Sequence, residues 1–256
     1  MTKHFSRVPE ATVTRLPLYL RALKTYNEGK GTISSTQIAQ LAGVTAAIVR
    51  KDLSYLGSFG TRGVGYDMEF LLSQINRELG LDQNWSVVVV GMGHLGHALA
   101  RYGGFLDKGF QIVSLLDNHV SKIGEKVGDL YIENVEDLNT IVKERNISIG
   151  IIATPGDVAQ QSADRLVKAG VKAILSFAPC VVDVPKTVTF RKVDMAIELQ
   201  ILSFYQQRKS LKDFFINNED LASFESIVSS KPPVINQDKS GKESTSVSSV
   251  SEGALA

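Results

Sequence analysis

Residues 86–100, Ser86-Val87-Val88-Val89-Val90-Gly91-Met92-Gly93-His94-Leu95-Gly96-His97-Ala98-Leu99-Ala100, decide the fold. Four consecutive valines, Val87, Val88, Val89 and Val90, form a β-branched run suited to a strand buried on both faces. A G-x-G-x-x-G run follows it directly, Gly91-Met92-Gly93-His94-Leu95-Gly96. In that position each glycine has a task. Gly91 permits the tight turn out of the strand, Gly93 lets backbone approach a bound group because no Cβ intervenes, and Gly96 lets the next helix pack closely on the strand.

The ligand such a turn suits is a pyrophosphate, seated on unpaired N–H groups where the helix begins. After a predicted helix over residues 95–106, a second apolar run at 110–116 ends in Asp117, which lies 26 residues after Gly91. An acid at that spacing meets ribose hydroxyls, and it favours NAD(H) over NADP(H) because it repels a 2′-phosphate. His119 and Lys122 follow closely and soften that preference. Further strand-like runs at 148–153 and 173–177 alternate with helical stretches at 135–145 and 160–169, which predicts an α/β fold with a doubly wound parallel sheet. Ligands of such sheets lie beyond the strands' carboxyl ends, so Ala153-Thr154-Pro155 and Ser176-Phe177-Ala178-Pro179 are expected to border the nicotinamide half.

The totals set bounds on this picture. A chain of 256 residues with 43 % apolar content can fill two small domains or one large one. Net charge is only +1, yet residues 1–70 hold nine Lys and Arg against five acids, the local excess that a phosphate-facing module needs. One cysteine, Cys180 in an apolar strand-like run, excludes an intrachain disulfide and an all-cysteine metal site. No apolar stretch reaches the roughly 18 residues of a membrane span and the polar N-terminus lacks a signal-peptide core, so a cytoplasmic, reducing location and no membrane partner are expected.

Before the glycine run the pattern is helical. Val13, Leu16, Leu20 and Leu23, flanked by Tyr19 and Tyr26, form one stripe, with Pro17 placing the regular helix start near residue 16 or 17. Ser34-Ser35-Thr36 can cap a helix over 37–42 with Ile38, Ala39 and Leu41 inward; Gly43 supplies a turn, and Thr45 caps a second helix over 46–56. That spacing is helix-turn-helix. With Ile48, Leu53 and Leu56 directed to the core, Thr45, Ala46, Val49, Arg50, Lys51 and Ser54 are left for a major groove, where small and basic side chains fit. The glycine-dense stretch 57–66 then reads as the wing of a winged helix, with Arg62 at its tip positioned for a minor groove. Residues 68–79 form a further helix and 80–84 a linker.

Catalytic and metal-binding patterns are sparse. His94 and His97 have no carboxylate or third histidine nearby in sequence, so no metal site is expected. Tyr26/Lys30 and Tyr205/Lys209 have the spacing of a reductase acid pair, but Tyr26 precedes the nucleotide fold and Tyr205 belongs to a helix that is apolar on nearly every side. That helix (Met195, Ile197, Leu199, Ile201, Leu202, Phe204) needs a cover, and a second subunit supplies one: a homodimer is expected, presenting two DNA modules to a palindromic site. The expected domains are 1–80, 85–194 and a dimerisation helix over 195–216, with 230–256 a disordered tail.

The blocks RLPLYLRALKTY, TAAIVRKDLSYLGSFGTRGVGY, VVGMGHLGHALARY, IIATPGDVAQQSADRLVKAGVKAILSFAPCVVDVP and VDMAIELQ together resemble Rex, the bacterial redox-sensing transcriptional repressors, over about residues 5–208. The resemblance implies a winged-helix domain joined to a Rossmann domain. It also implies a homodimer with exchanged C-terminal helices that holds operator DNA when NAD+ prevails and releases it when NADH is bound. A switch network of Arg21, Tyr102 and the partner's counterpart of Asp194 is implied in the same way. Two positions depart from the family pattern: Ser176 stands where asparagine is usual, and Met195 where leucine or phenylalanine is common.

On this reading a ligand moves the protein only through differential affinity. The NADH form must favour a dimer whose recognition helices are wrongly spaced over one that holds them about one DNA turn, ~34 Å, apart. An NAD-dependent oxidoreductase with an N-terminal helical module is the alternative, but it requires a proton donor that the sequence does not reveal. A winged-helix protein that only dimerises through its second half leaves Asp117 and the three glycines unexplained.

Overall fold

The structure, a computed structural model, describes residues 8–26, 31–57, 60–61 and 63–217, with side chains to residue 209. Described residues up to Asp194 form one compact unit, and those from Met195 a second.

The first unit opens with helix α1 (Glu10–Thr25). It starts earlier than Pro17 suggests. Proline lacks an N–H and leaves the carbonyl of residue 13 without its helical partner, but Val13 and Pro17 are both exposed, so the gap faces water. Strand β1 (Thr32–Ile33), helices α2 (Ser35–Ala42) and α3 (Ala46–Leu56), strands β2 (Gly60–Thr61) and β3 (Gly65–Asp67), and helix α4 (Met68–Glu78) follow. The three strands form an antiparallel sheet in the order β1-β3-β2. Ser34 closes a capping box with Gln37, Gly43 takes the left-handed turn at φ 69°, and the Thr45 side chain accepts from Ile48 N–H. These local devices fix the helix-turn-helix. Leu16, Tyr19, Leu23, Ile38, Val49, Leu53, Leu71 and Ile75 make its core.

Strand β4 (Trp85–Val90) begins the larger sheet, followed by helix α5 (His94–Ala100) and a 3₁₀ turn (Gly103–Lys108). The helix is shorter than the sequence pattern predicts: it ends at a cap on Arg101, and Gly103 and Gly104 open the tighter turn. The chain continues through β5 (Phe110–Asp117), β6 (Lys126–Val127), β7 (Leu130–Asn134), α6 (Leu138–Glu144), β8 (Ile149–Ile152), α7 (Gly156–Ala169), β9 (Ala173–Ser176) and β10 (Thr189–Lys192). The order is β10-β9-β8-β4-β5-β7-β6, with every pairing parallel except β6 with β7. Alternation with period two sends Val88 and Val90 into the core beneath α6 and α7, and Val87 and Val89 into the core on the opposite face. Helices therefore cover both faces, and the strand order reverses at β4, where β8 and β5 run outward from it. That reversal is a topological switch point.

The second unit is helix α8 (Met195–Asn217). The expected tail at 230–256 lies outside the described residues.

Candidate functional site

At the switch point the chain leaves a cavity of about 350 Å³ lined by Gly91, Gly93, Asp117, His119, Lys122, Val135, Ala153, Thr154, Pro155, Gln161, Ser162 and Arg165, among others. The three glycines differ in what a Cβ would meet. At Gly91, φ is +96° and a Cβ would lie 2.7 Å from the Thr154 methyl; at Gly96 it would lie 2.1 Å from the Gly91 carbonyl oxygen. Fold geometry accounts for both. At Gly93 the backbone is extended, with φ −81°, and a Cβ would meet no protein atom within 4 Å. Neither strain nor packing calls for glycine there, so the open space beside the cleft is what it preserves.

Asp117 is 5 % exposed. One carboxylate oxygen accepts from Met92 N–H (2.8 Å) and Lys122 Nζ (3.0 Å), the other from His119 N–H (2.8 Å). Burial by itself would raise its pKa; the hydrogen bonds from His119 and Met92, with Lys122, outweigh that and hold it below the usual carboxylate value. The acid thus fastens the glycine loop, with Met92 contributing backbone while its side chain is buried. Thr154 Oγ1 is the one buried side-chain polar atom without a hydrogen-bond partner among the described residues, and Thr154 lines the cavity. An orphaned hydroxyl, a loop open at Gly93 and a fixed carboxylate fit a dinucleotide's phosphates and ribose.

Other expected residues lie differently. His94 is exposed, Leu95 half-buried, and Phe177, Ala178 and Pro179 do not line this cavity; Ala178 is buried, its N–H donating to Ser176 Oγ at 3.2 Å. The run at 153–155 faces Asp117 and His119 across the cavity. His97 places Nδ1 2.9 Å from the Gly93 carbonyl and Nε2 3.2 Å from Glu125. Cys180 is in an irregular segment, not a strand, half-buried, with Sγ 3.4 Å from the Gly156 carbonyl oxygen. Val135 and the α7 residues Gln161, Ser162 and Arg165 were not expected. A helical stripe following the turn at 153–155 was the available signal. Arg165 pairs with Glu136 at 2.8 Å.

On α3 the exposed face differs by one residue from the expected one. Val49 is fully buried and Ile48 is 37 % exposed, a reversal of their assigned roles. Adjacent residues lie about 100° apart around a helix, and the buried stripe of α3 runs through Val49, Asp52 and Leu53 rather than through Ile48. Leu41, expected inward, is 44 % exposed, as is Val13. Thr45, Arg50, Lys51 and Ser54 are exposed and Ala46 is half-buried; Arg50 donates to Ser35 Oγ at 3.0 Å beside the strand pair β2 and β3. Arg62 lies outside the described residues.

Asp52, one of the five acids counted in residues 1–70, is 1 % exposed. It accepts from Thr12 (2.8 Å), Tyr19 (2.6 Å), and Arg15 through Nε (2.6 Å) and Nη2 (2.8 Å). Burial opposes its charge, but these donors prevail and keep its pKa lowered; hydrogen bonding to Asp52 raises that of Arg15, and burial beside Asp52 raises that of Tyr19. Within the single chain the three residues expected to form a switch network have separate surroundings. Arg21 is exposed on α1, Tyr102 packs edge-on against Phe105 (4.9 Å), and Asp194 pairs with Lys192 (3.1 Å).

Two family models match: a putative DNA-binding protein N-terminus over residues 7–54 and a CoA binding domain over residues 82–180. A redox-sensing transcriptional repressor Rex of Streptomyces coelicolor is 55 % identical over 204 residues, covering 79 % of each chain. The chain belongs to the Rex family. Rex of Carboxydothermus hydrogenoformans is 50 % identical over 79 % of this chain and 98 % of its own. Among solved structures, RSP in complex with β-NAD+ and operator DNA is 34 % identical with a TM-score of 0.74, covering 83 % of this chain and 98 % of its own. RSP with β-NADH gives 34 % and 0.73, covering 82 % and 99 %. RSP is itself a Rex-family repressor.

Proposed function

We propose that the protein is a transcriptional repressor that reads the NADH/NAD+ balance, holding operator DNA when NADH is low and releasing it when NADH is bound. The observation that carries this reading is Gly93, a glycine whose Cβ would meet no protein atom, beside a cavity bordered by Asp117 and the unpartnered Thr154 hydroxyl.

Gly91, Gly93 and the start of α5 hold the pyrophosphate, and Asp117 receives the ribose hydroxyls. Thr154 acquires the hydrogen bond it lacks in the free chain. When bound, the dinucleotide supplies a nicotinamide ring whose positive charge disappears on reduction. Ala153 and Pro155, which line the cavity, provide an apolar border that discriminates the two ring states, since a neutral ring enters a dry pocket at lower cost than a charged one.

Thr45, Ala46, Arg50, Lys51 and Ser54 face the operator, joined by Ile48 in place of Val49, with Arg62 assigned to the wing tip. Met195, Leu199, Leu202 and Tyr205 of α8 are all more than 60 % exposed in the single chain, and a second copy covers them in a homodimer that sets the spacing of two DNA modules. Arg21, Tyr102 and the partner's counterpart of Asp194 form the switch between the two spacings. The domains follow as 1–80, 85–194 and 195–216. A thousandfold preference of NADH for the DNA-incompetent spacing corresponds to ~4 kcal/mol.

Fluorescent operator DNA titrated with the protein, in the presence of NADH or of NAD+, tests this directly. Release by NADH and retention with NAD+ is the expected result, and indifference to both nucleotides refutes it.

A further inference from the structure

We infer that Asp52 and Arg15 are positioning residues: their buried cluster with Thr12 and Tyr19 is the joint through which α1 sets the orientation of the recognition helix α3. This rests on the function proposed above and adds the element that carries a domain movement to the DNA-reading surface.

Geometry makes the case. Asp52 follows Lys51 directly, about 100° further round α3, and is 1 % exposed where Lys51 lies on the exposed face, so rotation of α3 about its axis moves both. All four donors to Asp52 come from α1, at residues 12, 15 and 19, a single stripe along that helix. Each carboxylate oxygen receives two of them, and Arg15 grips the group through two nitrogens. Such a fork admits a narrow range of orientations, whereas apolar side chains in the same space could slide past each other. Replacement of a buried ion pair by hydrophobes of similar volume is often neutral or stabilising. Stability alone therefore does not call for a carboxylate here, whereas a fixed angle does.

The other attachments of α1 say what the angle transmits. Its first residue, Glu10, pairs at 3.2 Å with Arg191 on β10, the last strand of the large sheet. Arg21 lies on the same helix. The helix that clasps α3 therefore also touches the nucleotide-binding half. Contact by itself is not coupling, which has to be measured as a free energy between the two sites.

The experiment measures operator affinity of the full-length protein with and without saturating NADH, for the wild type, Arg15→Lys and Asp52→Asn. The ratio of the two dissociation constants is the coupling factor, and by linkage it equals the factor by which operator DNA weakens NADH binding. Arg15→Lys keeps the charge and loses the fork, so it tests the joint even where Asp52→Asn fails to fold. A cooperative thermal melt, NADH affinity of the DNA-free protein within about twofold of wild type, and a coupling factor reduced at least about threefold are expected. A cooperatively folded Arg15→Lys protein with the wild-type factor overturns the inference. So does a loss of operator affinity by the same factor in both nucleotide states, which is what a merely structural role produces. A wild-type coupling factor of one overturns the redox-sensing reading and this inference with it.

Discussion

Replacing Gly93 by alanine separates a glycine kept for a ligand from one kept for the fold. The new Cβ meets no protein atom within 4 Å, and φ −81° suits any residue. Gly93 is the N-cap of α5, so alanine costs about 0.5–1 kcal/mol in capping, while restriction of the unfolded chain returns about 0.4–1 kcal/mol. The two offset, and the melting temperature should move by no more than about 2 °C. On the proposed binding mode the Cβ would occupy space the pyrophosphate needs. Loss of one or two charge-assisted hydrogen bonds, at ~1.5–3 kcal/mol each, gives about 3 kcal/mol, over a hundredfold in Kd. Gly96→Ala is the control: its Cβ would stand 2.1 Å from the Gly91 carbonyl oxygen, and the displaced backbone should cost at least about 2 kcal/mol of stability. Thermal melts followed by NADH titration decide the matter. The reasoning is refuted if Gly93→Ala melts as low as Gly96→Ala, or if it binds NADH normally.

Thr154→Val removes the orphaned hydroxyl at constant shape, so the ligand-free protein should gain about 1 kcal/mol in denaturant unfolding while its NADH affinity falls several-fold. Val49→Ala should cost about 2 kcal/mol of stability, whereas Ile48→Ala should leave stability within about 0.5 kcal/mol and weaken operator binding. Because Ser35 holds Arg50 back beside β2 and β3, Arg50→Ala should weaken binding about equally across operator variants and lower the slope of log affinity against log salt by roughly one; loss confined to one base position would show that Arg50 reads sequence. Asp52 and Asp117 have folded-state pKa values below their unfolded ones, so their contribution is present above about pH 4 and is lost as pH falls through the folded values. Urea unfolding at a series of acidic pH values should accordingly be less pH-dependent for Asp52→Asn than for the wild type.

The valine run and the glycine turn were legible because their signals are local: four β-branched residues bury on both faces wherever they sit in a parallel sheet, and the glycines act within six residues. The helix-turn-helix was legible for the same reason, through Ser34, Gly43 and Thr45. The short strands β6, β7 and β10 were not: β6 and β10 are short edge pieces such as Thr189-Phe190-Arg191-Lys192, ordered by the neighbour they pair with rather than by their own composition, and the five residues of β7 are too short a run to be marked by pattern alone. The fate of Asp52 was beyond local reading too. Its donors lie 33 to 40 residues earlier, and nothing in RKDLSY marks the acid as buried. In the candidate site, spacing singled out Asp117, but its hydrogen bonds from Met92 and Lys122 depend on a loop path that spacing does not encode.

That grip bears on how fast the molecule can respond. With the Asp117 carboxylate fastening the Gly91–Gly93 backbone through Met92 N–H, the loop proposed to cradle the nucleotide is held by the chain itself, which lowers the ordering cost of binding there. A loop fastened in this way would let the regulator respond to coenzyme without first folding its binding site.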